Sequence, residues 1–414
     1  MSNWIKLINR FAISFVPLMI LAATVFTQPT GFRDLDPVQR KATSGRIQGD
    51  VDDITRRINQ GRPNADLVKK RLQLYKDLLD LNYDNSLWDT YADKYEEDLA
   101  GVIKIQKTAE NCIRLGGFLV ERFRRMPIAN GAENIYPRNK YFDQGVSSLL
   151  EALNLTSTAA DLQIVYTYLS IVYTERPQKL IAASRFQKSR LKFPIKSILN
   201  DLDDAVTYSR KSLEVGEKLP YASELKANLA GIYNKCGDIA VAVGEYQIGL
   251  KFFEKGQEYL GIGGPSCAYY GDWGNAYLKL NQFDKAIEIF NAITMTDDAG
   301  CGILWQNKGD AYAAKGEYTL ALENYNKSLA IDPADSFKRK GWLHVKTAQL
   351  FLQKGDAEQA LWELTDAAKK IYVTDCPEFY RVRSEAYRRL GKPELAKSDL
   401  QTAAKLNVSA DCSP

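Results

Sequence analysis

Apolar positions along this chain follow three successive patterns of spacing. The first pattern is an almost unbroken run from Phe11 through Phe26, interrupted only by Ser14, Pro17 and Thr24 and preceded by Lys6 and Arg10. At about 16 residues it falls between a signal-peptide core and a full bilayer span, and Trp4 to Leu7 supply the missing length at an interface. Residues 1–27 are therefore expected to form an uncleaved transmembrane signal anchor, with a cleaved signal as the alternative; Ala22-Ala23-Thr24 is a poor cleavage site. Positive charge ahead of the run would hold the N-terminus in the cytoplasm and send the rest of the chain across.

The second pattern is helical but irregular. After a Pro/Gly linker, Pro37 stands as the first residue of an amphipathic stretch through Ile47, Val51, Ile54 and Ile58, stopped by Gly61-Arg62-Pro63. A second helix is predicted from Ala65 to Leu81. A third, long one is predicted from about Ser86 to Arg125, with Gly116-Gly117 marking a kink or a close neighbour. This region, 28–140, reads as a helical stalk or cap, a dimerising coil being the alternative. Between 141 and 222, Tyr141 to Leu155 and Leu162 to Glu175 predict two further helices. Arg176 to Lys196 then carries seven basic residues and no acid, among them Arg185, Lys188 and Arg190. Interleaved with Leu180, Ile181, Phe186, Leu191 and Phe193, they suit either a loop lying on an anionic membrane or acidic protein, or a solvated loop folded back on its neighbours.

The third pattern recurs. From 223 onward, small and aromatic residues return in the same order: Tyr233, Gly237, Ala242, Tyr246; then Gly274, Tyr277, Ala286, Phe290; then Trp305, Gly309, Tyr312, Gly316, Ala321, Tyr325 and Pro333. Two more copies follow, with Ala348, Phe351, Gly355, Ala360 and Ala367, and with Tyr380, Tyr387, Gly391, Ala396 and Ala403. The stretch Gly302 to Asp335 resembles the tetratricopeptide repeat, a helix–turn–helix unit of about 34 residues. The resemblance implies an all-α fold, a right-handed superhelical solenoid of helix–turn–helix repeats over 223–414. Degenerate repeats and the basic insertion precede it, then the helical N-terminal region and one transmembrane helix. It makes the aromatic and small residues core. It places partner contacts on the concave face, at Asn234, Lys235, Asn275, Lys279, Gln306, Asp310, Gln349, Gln353, Arg381, Glu385 and Arg388. The chain departs from the chaperone-binding version of the family, whose carboxylate-clamping places hold Ala227, Gly231 and Gln306 here.

Composition narrows the chemistry. The chain has 414 residues, 45% of them hydrophobic, and a net charge of +4, too small to point to a nucleic-acid partner. A single histidine, His344, leaves little room for histidine-based metal sites or catalytic triads. No nucleotide-binding loop and no Cys-x-x-Cys occurs, so neither an enzyme activity nor a cofactor is expected. Of the six cysteines, repeat geometry puts Cys267 near Cys301 and Cys376 near Cys412, which makes two disulfides in an exported chain. Cys112 and Cys236 fall in apolar helical patterns as buried thiols. The sequence thus predicts a single-pass, membrane-anchored adaptor facing the periplasm or a lumen. It would bind protein subunits during assembly or maintenance of a membrane complex, or be a permanent structural subunit of one.

Overall fold

The computed structural model describes residues 35–60, 65–82, 87–126, 139–187, 194–259, 267–292, 302–331, 337–368 and 376–406. Among them every regular element is an α-helix, and they separate into two compact units. One lies within Met1–Cys236 and Lys255–Gly261, the other within Gly237–Glu254 and Ile262–Pro414. The expected membrane segment falls outside the described residues. Among those described, no helix is long and apolar enough to cross a membrane.

The N-terminal unit begins with α1 (Pro37–Gln60). Asp36 opens it: its carboxylate accepts from the backbone N–H of Val38 and Gln39, and the Gln39 side chain accepts from the Asp36 N–H in return. This reciprocal pair is a capping box that satisfies otherwise orphaned donors. Next come α2 (Ala65–Leu81), α3 (Leu87–Ile105) and α4 (Ala109–Arg125). The long helix expected over 86–125 is therefore two helices. Thr108 breaks it, in extended geometry, by accepting from the N–H of Asn111 and starting α4 afresh. Gly116 and Gly117 are accordingly not a kink. A Cβ on Gly116 would stand 2.5 Å from Leu149, and one on Gly117 would stand 2.8 Å from Tyr168, so both mark helix crossings. Tyr75, Leu78, Trp88, Tyr91, Tyr95, Leu99 and Phe118 form one buried core with Ile47 and Val51 of α1.

A second core joins α4 to α5 (Lys140–Leu155) and α6 (Ala159–Gln187), through Phe123, Phe142, Leu149, Val165, Leu169 and Val172. Here the structure departs again from the sequence reading. The segment taken as a loop from Arg176 continues as α6 to Gln187, because Leu180, Ile181 and Ala183 keep the helical spacing and are buried. Its first two basic residues point inward. Arg176 pairs with the carboxylate of Asp201 on α7 (Ile195–Gly216), Nε lying 2.8 Å from Oδ2, and its guanidinium stands 3.8 Å from the Phe142 ring centre. Lys179 is buried and donates to the carbonyl of Met126 at 2.9 Å; burial pulls its pKa down.

Two helices, α8 (Ala222–Ala242) and α9 (Tyr246–Gln257), contribute residues to both units. The C-terminal unit then continues as pairs: α10 (Cys267–Lys279) with α11 (Phe283–Asn291), and α12 (Gly302–Ala314) with α13 (Tyr318–Ile331). The last two pairs are α14 (Phe337–Gln353) with α15 (Ala357–Ala368), and α16 (Pro377–Arg389) with α17 (Pro393–Lys405). From α10 on, each helix packs on its pair mate, and the second helix of a pair packs on the first helix of the pair that follows.

One turn geometry joins these pairs. Gly244, Asn281, Gly316, Gly355 and Gly391 have φ of 89°, 57°, 81°, 90° and 68°, the left-handed region. The residue after each donates its N–H to a helical carbonyl six-to-one: Glu245 to Ala240, Gln282 to Tyr277, Glu317 to Tyr312, Asp356 to Phe351, and Lys392 to Tyr387. That is the Schellman closure, which terminates a helix without help from a side chain. A second recurrent glycine lies seven residues earlier, where the two helices of a pair cross. A Cβ on Gly237, Gly274 or Gly309 would come within 2.5, 2.2 or 2.4 Å of the ring of Phe253, Phe290 or Tyr325. Gly237 is thus a crossing glycine, and the turn of that pair is at Gly244. The two glycine sites sit about two helical turns apart.

Candidate functional site

Within the C-terminal unit, polar side chains link the first helices of successive pairs. Asp310 on α12 accepts from the Tyr325 hydroxyl at 2.5 Å and from Lys346 Nζ on α14 at 2.7 Å. Burial first, and then the Asp310 charge, push the Tyr325 pKa far up, which keeps this hydroxyl a donor. On the next step, Gln349 Nε2 donates to Glu378 Oε1 of α16 at 2.9 Å, and Arg389 donates to the carbonyl of Leu352. Neighbouring first helices are thereby held in register by charge and hydrogen bonding across one face.

That face ends in an exposed cationic patch. Arg381 reaches Glu378 at 3.3 Å, and Glu385 accepts from both Arg388 at 2.7 Å and Arg389 at 2.6 Å. Hydrogen bonds from those two guanidiniums hold the Glu385 pKa down at about 2. Because the group is solvent-exposed, the ion pairs contribute little stability and can be exchanged for a ligand's carboxylate. Gln353 is also exposed.

The residues singled out from sequence are distributed unevenly. Asp310, Gln349, Gln353, Arg381 and Arg388 come together along α12, α14 and α16. Asn275 is half-buried and Lys279 exposed on α10. Gln306 is buried, and its side-chain oxygen has no partner among the described residues, so it stands inside the helix packing instead of on the surface. Asn234 and Lys235 belong to the N-terminal unit; the Asn234 oxygen is buried where a Cβ on Gly256 would meet it at 2.4 Å. Arg185 lies in α6 with its side chain outside the described set, and Lys188 and Arg190 lie outside the described residues. Sequence reasoning missed Lys346 and Glu378. Opposite charge on adjacent first helices, Asp310 six residues before its turn glycine and Lys346 nine before the next, was the available signal.

Cys376 is disulfide-bonded. Cys112 and Cys236 are buried thiols, and burial raises the Cys112 pKa. Cys301 and Cys412, and the side chain of Cys267, lie outside what is described. Among the described residues no group of three or more His, Cys, Asp or Glu could hold a metal ion.

Residues 272–336 match the family model of the tetratricopeptide repeat. The matched span runs from within α10 to beyond α13 and takes in two of the three crossing glycines that face aromatic rings, Gly274 and Gly309. Human tetratricopeptide repeat protein 12 is 29% identical over 147 residues, covering 35% of this chain and 20% of that protein. Heat shock protein STI1 of Saccharomyces cerevisiae is 26% identical over 133 residues, covering 32% of this chain and 22% of that one. The matches thus span about a fifth of the length of these relatives. Of solved structures, the crystal structure of MamA is 14% identical, aligned over 41% of this chain and 92% of that one, with a TM-score of 0.35. Residues 272–336 are thus similar to the tetratricopeptide repeat, a module that generally mediates protein–protein interactions.

Proposed function

We propose that this chain is a tetratricopeptide-repeat adaptor that holds another polypeptide on the face formed by α12, α14 and α16. The observation that carries the reading is the pair of bridges Asp310–Lys346 and Gln349–Glu378. They fix three helices side by side and leave Gln353, Arg381 and Arg388 beside them with exposed donors, a prearranged surface that costs little ordering on binding. The cationic end suits an acidic segment of the partner. On this reading the protein works by binding and carries out no chemistry of its own.

The apolar run at residues 11–26 supports the finer proposal. The protein is anchored in a membrane by its N-terminus with the helical units outside the cytoplasm, and it serves assembly or maintenance of a membrane complex. The disulfide at Cys376 favours an oxidising compartment. A permanent structural subunit is the second reading. Affinity capture from detergent-solubilised membranes tests both. A triple variant, Gln353→Ala, Arg381→Ala and Arg388→Ala, is expected to reduce partner recovery at least tenfold, and unchanged recovery would sink the groove. A substoichiometric partner released by salt marks an adaptor; a stoichiometric one retained in salt marks a subunit. N-terminal sequencing that starts near Thr27 would eliminate the anchor.

A further inference from the structure

The N-terminal unit contains a cleft of about 560 Å³ between α2, α3, α4 and the start of α6. Its volume lies within the range of about 300–1,000 Å³ usual for ligand sites. Leu72, Val102, Ile113 and Ile164 give it an apolar floor, and Lys69, Lys76 and Arg114 stand among its lining residues. The acids in the lining are already engaged. Asp161 accepts from the hydroxyls of Thr156 and Thr158 at 3.0 and 2.8 Å, at the head of α6. Glu110 meets Arg114 at 2.6 Å, but both side chains are largely exposed, at 70% and 45%. A pair of that kind, one turn apart on a helix surface, contributes little stability and gives way readily to a better acceptor. Lys69 has only a long contact, 3.4 Å, to Gln106.

A second observation points to a ligand. Tyr95 is 3% exposed, with its ring fixed edge-on against Phe118 at 4.6 Å between centres, yet it lines the cleft. Its hydroxyl makes no hydrogen bond among the described residues. A buried phenol that opens onto a cavity, with the charge of Arg114 acting on it, is a donor awaiting an acceptor.

We infer that this cleft is a second binding site, for a carboxylate side chain of an acidic peptide segment, held by Arg114, Lys69 and the Tyr95 hydroxyl while an adjacent apolar side chain covers the Leu72–Ile164 floor. The inference rests on the reading that the chain binds polypeptides, and it adds a site in the other unit. It is tested with the full chain in mild detergent and a fluorescein-labelled octapeptide of alternating Leu and Glu, read by anisotropy. Saturable binding is expected, with a Leu/Gln octapeptide at least tenfold weaker. Arg114→Gln and Tyr95→Phe should each weaken the Glu peptide about tenfold, as expected for loss of one hydrogen bond to a charged group. Tyr95→Phe keeps the ring against Phe118, so its melting temperature should match the parent. Absence of saturation, equal binding of the Gln peptide, or Glu-peptide binding that survives both substitutions overturns the site. Partner capture with the Gln353, Arg381 and Arg388 variant is run in parallel. A failed cleft leaves that capture intact, whereas failure of the adaptor reading removes its dependence on those residues.

Discussion

The helix pairs of the C-terminal unit and those of the N-terminal unit solve the same packing problem differently. In the C-terminal unit each pair is closed locally. A left-handed residue ends the first helix, and in three cases a glycine seven residues before it lets the helices cross against an aromatic ring. In the N-terminal unit no described residue has a positive φ, and helices are matched by contacts distant in sequence. Arg71 binds Asp98 between α2 and α3, Arg122 binds Asp93 and Glu96 between α4 and α3, and Arg176 binds Asp201 between α6 and α7. A repeat that specifies its own turn tolerates change elsewhere. A pair held by a buried ion pair depends on both partners at once.

This contrast can be broken most forcefully at Arg176. Arg176→Met strands the Asp201 carboxylate in the interior and should cost about 3–5 kcal/mol, while Arg176→Met with Asp201→Leu should recover most of it. Urea denaturation followed by circular dichroism reads the loss. Hydrogen exchange should confine it to α5, α6 and α7. If the double variant is as unstable as the single one, the ion pair is not what matches these helices.

The corresponding test in the C-terminal unit is Gly274→Ala, which drives a methyl to 2.2 Å from the fully buried Phe290 ring. A loss of about 1–3 kcal/mol is expected from overpacking. Gly231→Ala, with nothing within 4 Å of its Cβ, should gain about 0.5–1 kcal/mol from helix propensity alone. Similar effects at the two glycines would dissolve the distinction between a crossing site and an ordinary helical position.

A smaller effect is expected at Asp80, in α2. Burial raises its pKa from 3.8 to about 6, and one carboxylate oxygen is buried without a partner among the described residues. The folded protein thus holds a proton that the unfolded chain releases. Asp80 stabilises the fold fully below pH 3.8, and that contribution is lost as pH rises through about 6. Asp80→Asn should flatten stability between those limits and add on the order of 1–2 kcal/mol at pH 7, discounted for partial exposure. Chemical denaturation across pH 4–7 is the measurement. An effect of the same order is expected at Gly316, where Gly316→Ala should cost about 1–2 kcal/mol through its left-handed backbone alone, since its Cβ would meet nothing. Thermal melting reads that change.

How far each unit was legible follows from the same contrast. The pairs from α10 onward were readable because turn, crossing and core residues all recur at fixed spacing within one short segment. The break at Thr108 and the inward turn of Arg176 and Lys179 were hidden. A basic residue reads as surface until its buried acceptor, Asp201 or the Met126 carbonyl, is brought to it by folding. Of the candidate binding face, Asp310, Gln349 and Arg381 were found through the repeat position they occupy. Lys346 and Glu378 were missed because their meaning lies in the neighbouring repeat. The Tyr95 cleft had no sequence signal, since it is made by four helices whose lining residues share no period.

The common Schellman turn also makes the C-terminal pairs exchangeable parts. Every closure from Gly244 to Gly391 uses main-chain groups alone, so a splice made in one such turn leaves the next intact. Duplicating 317–355, one turn to the next, should lengthen the unit by a helix pair in frame, whereas no comparable cut point exists among the described residues of α2 to α7. Length, in that unit, is an adjustable dimension.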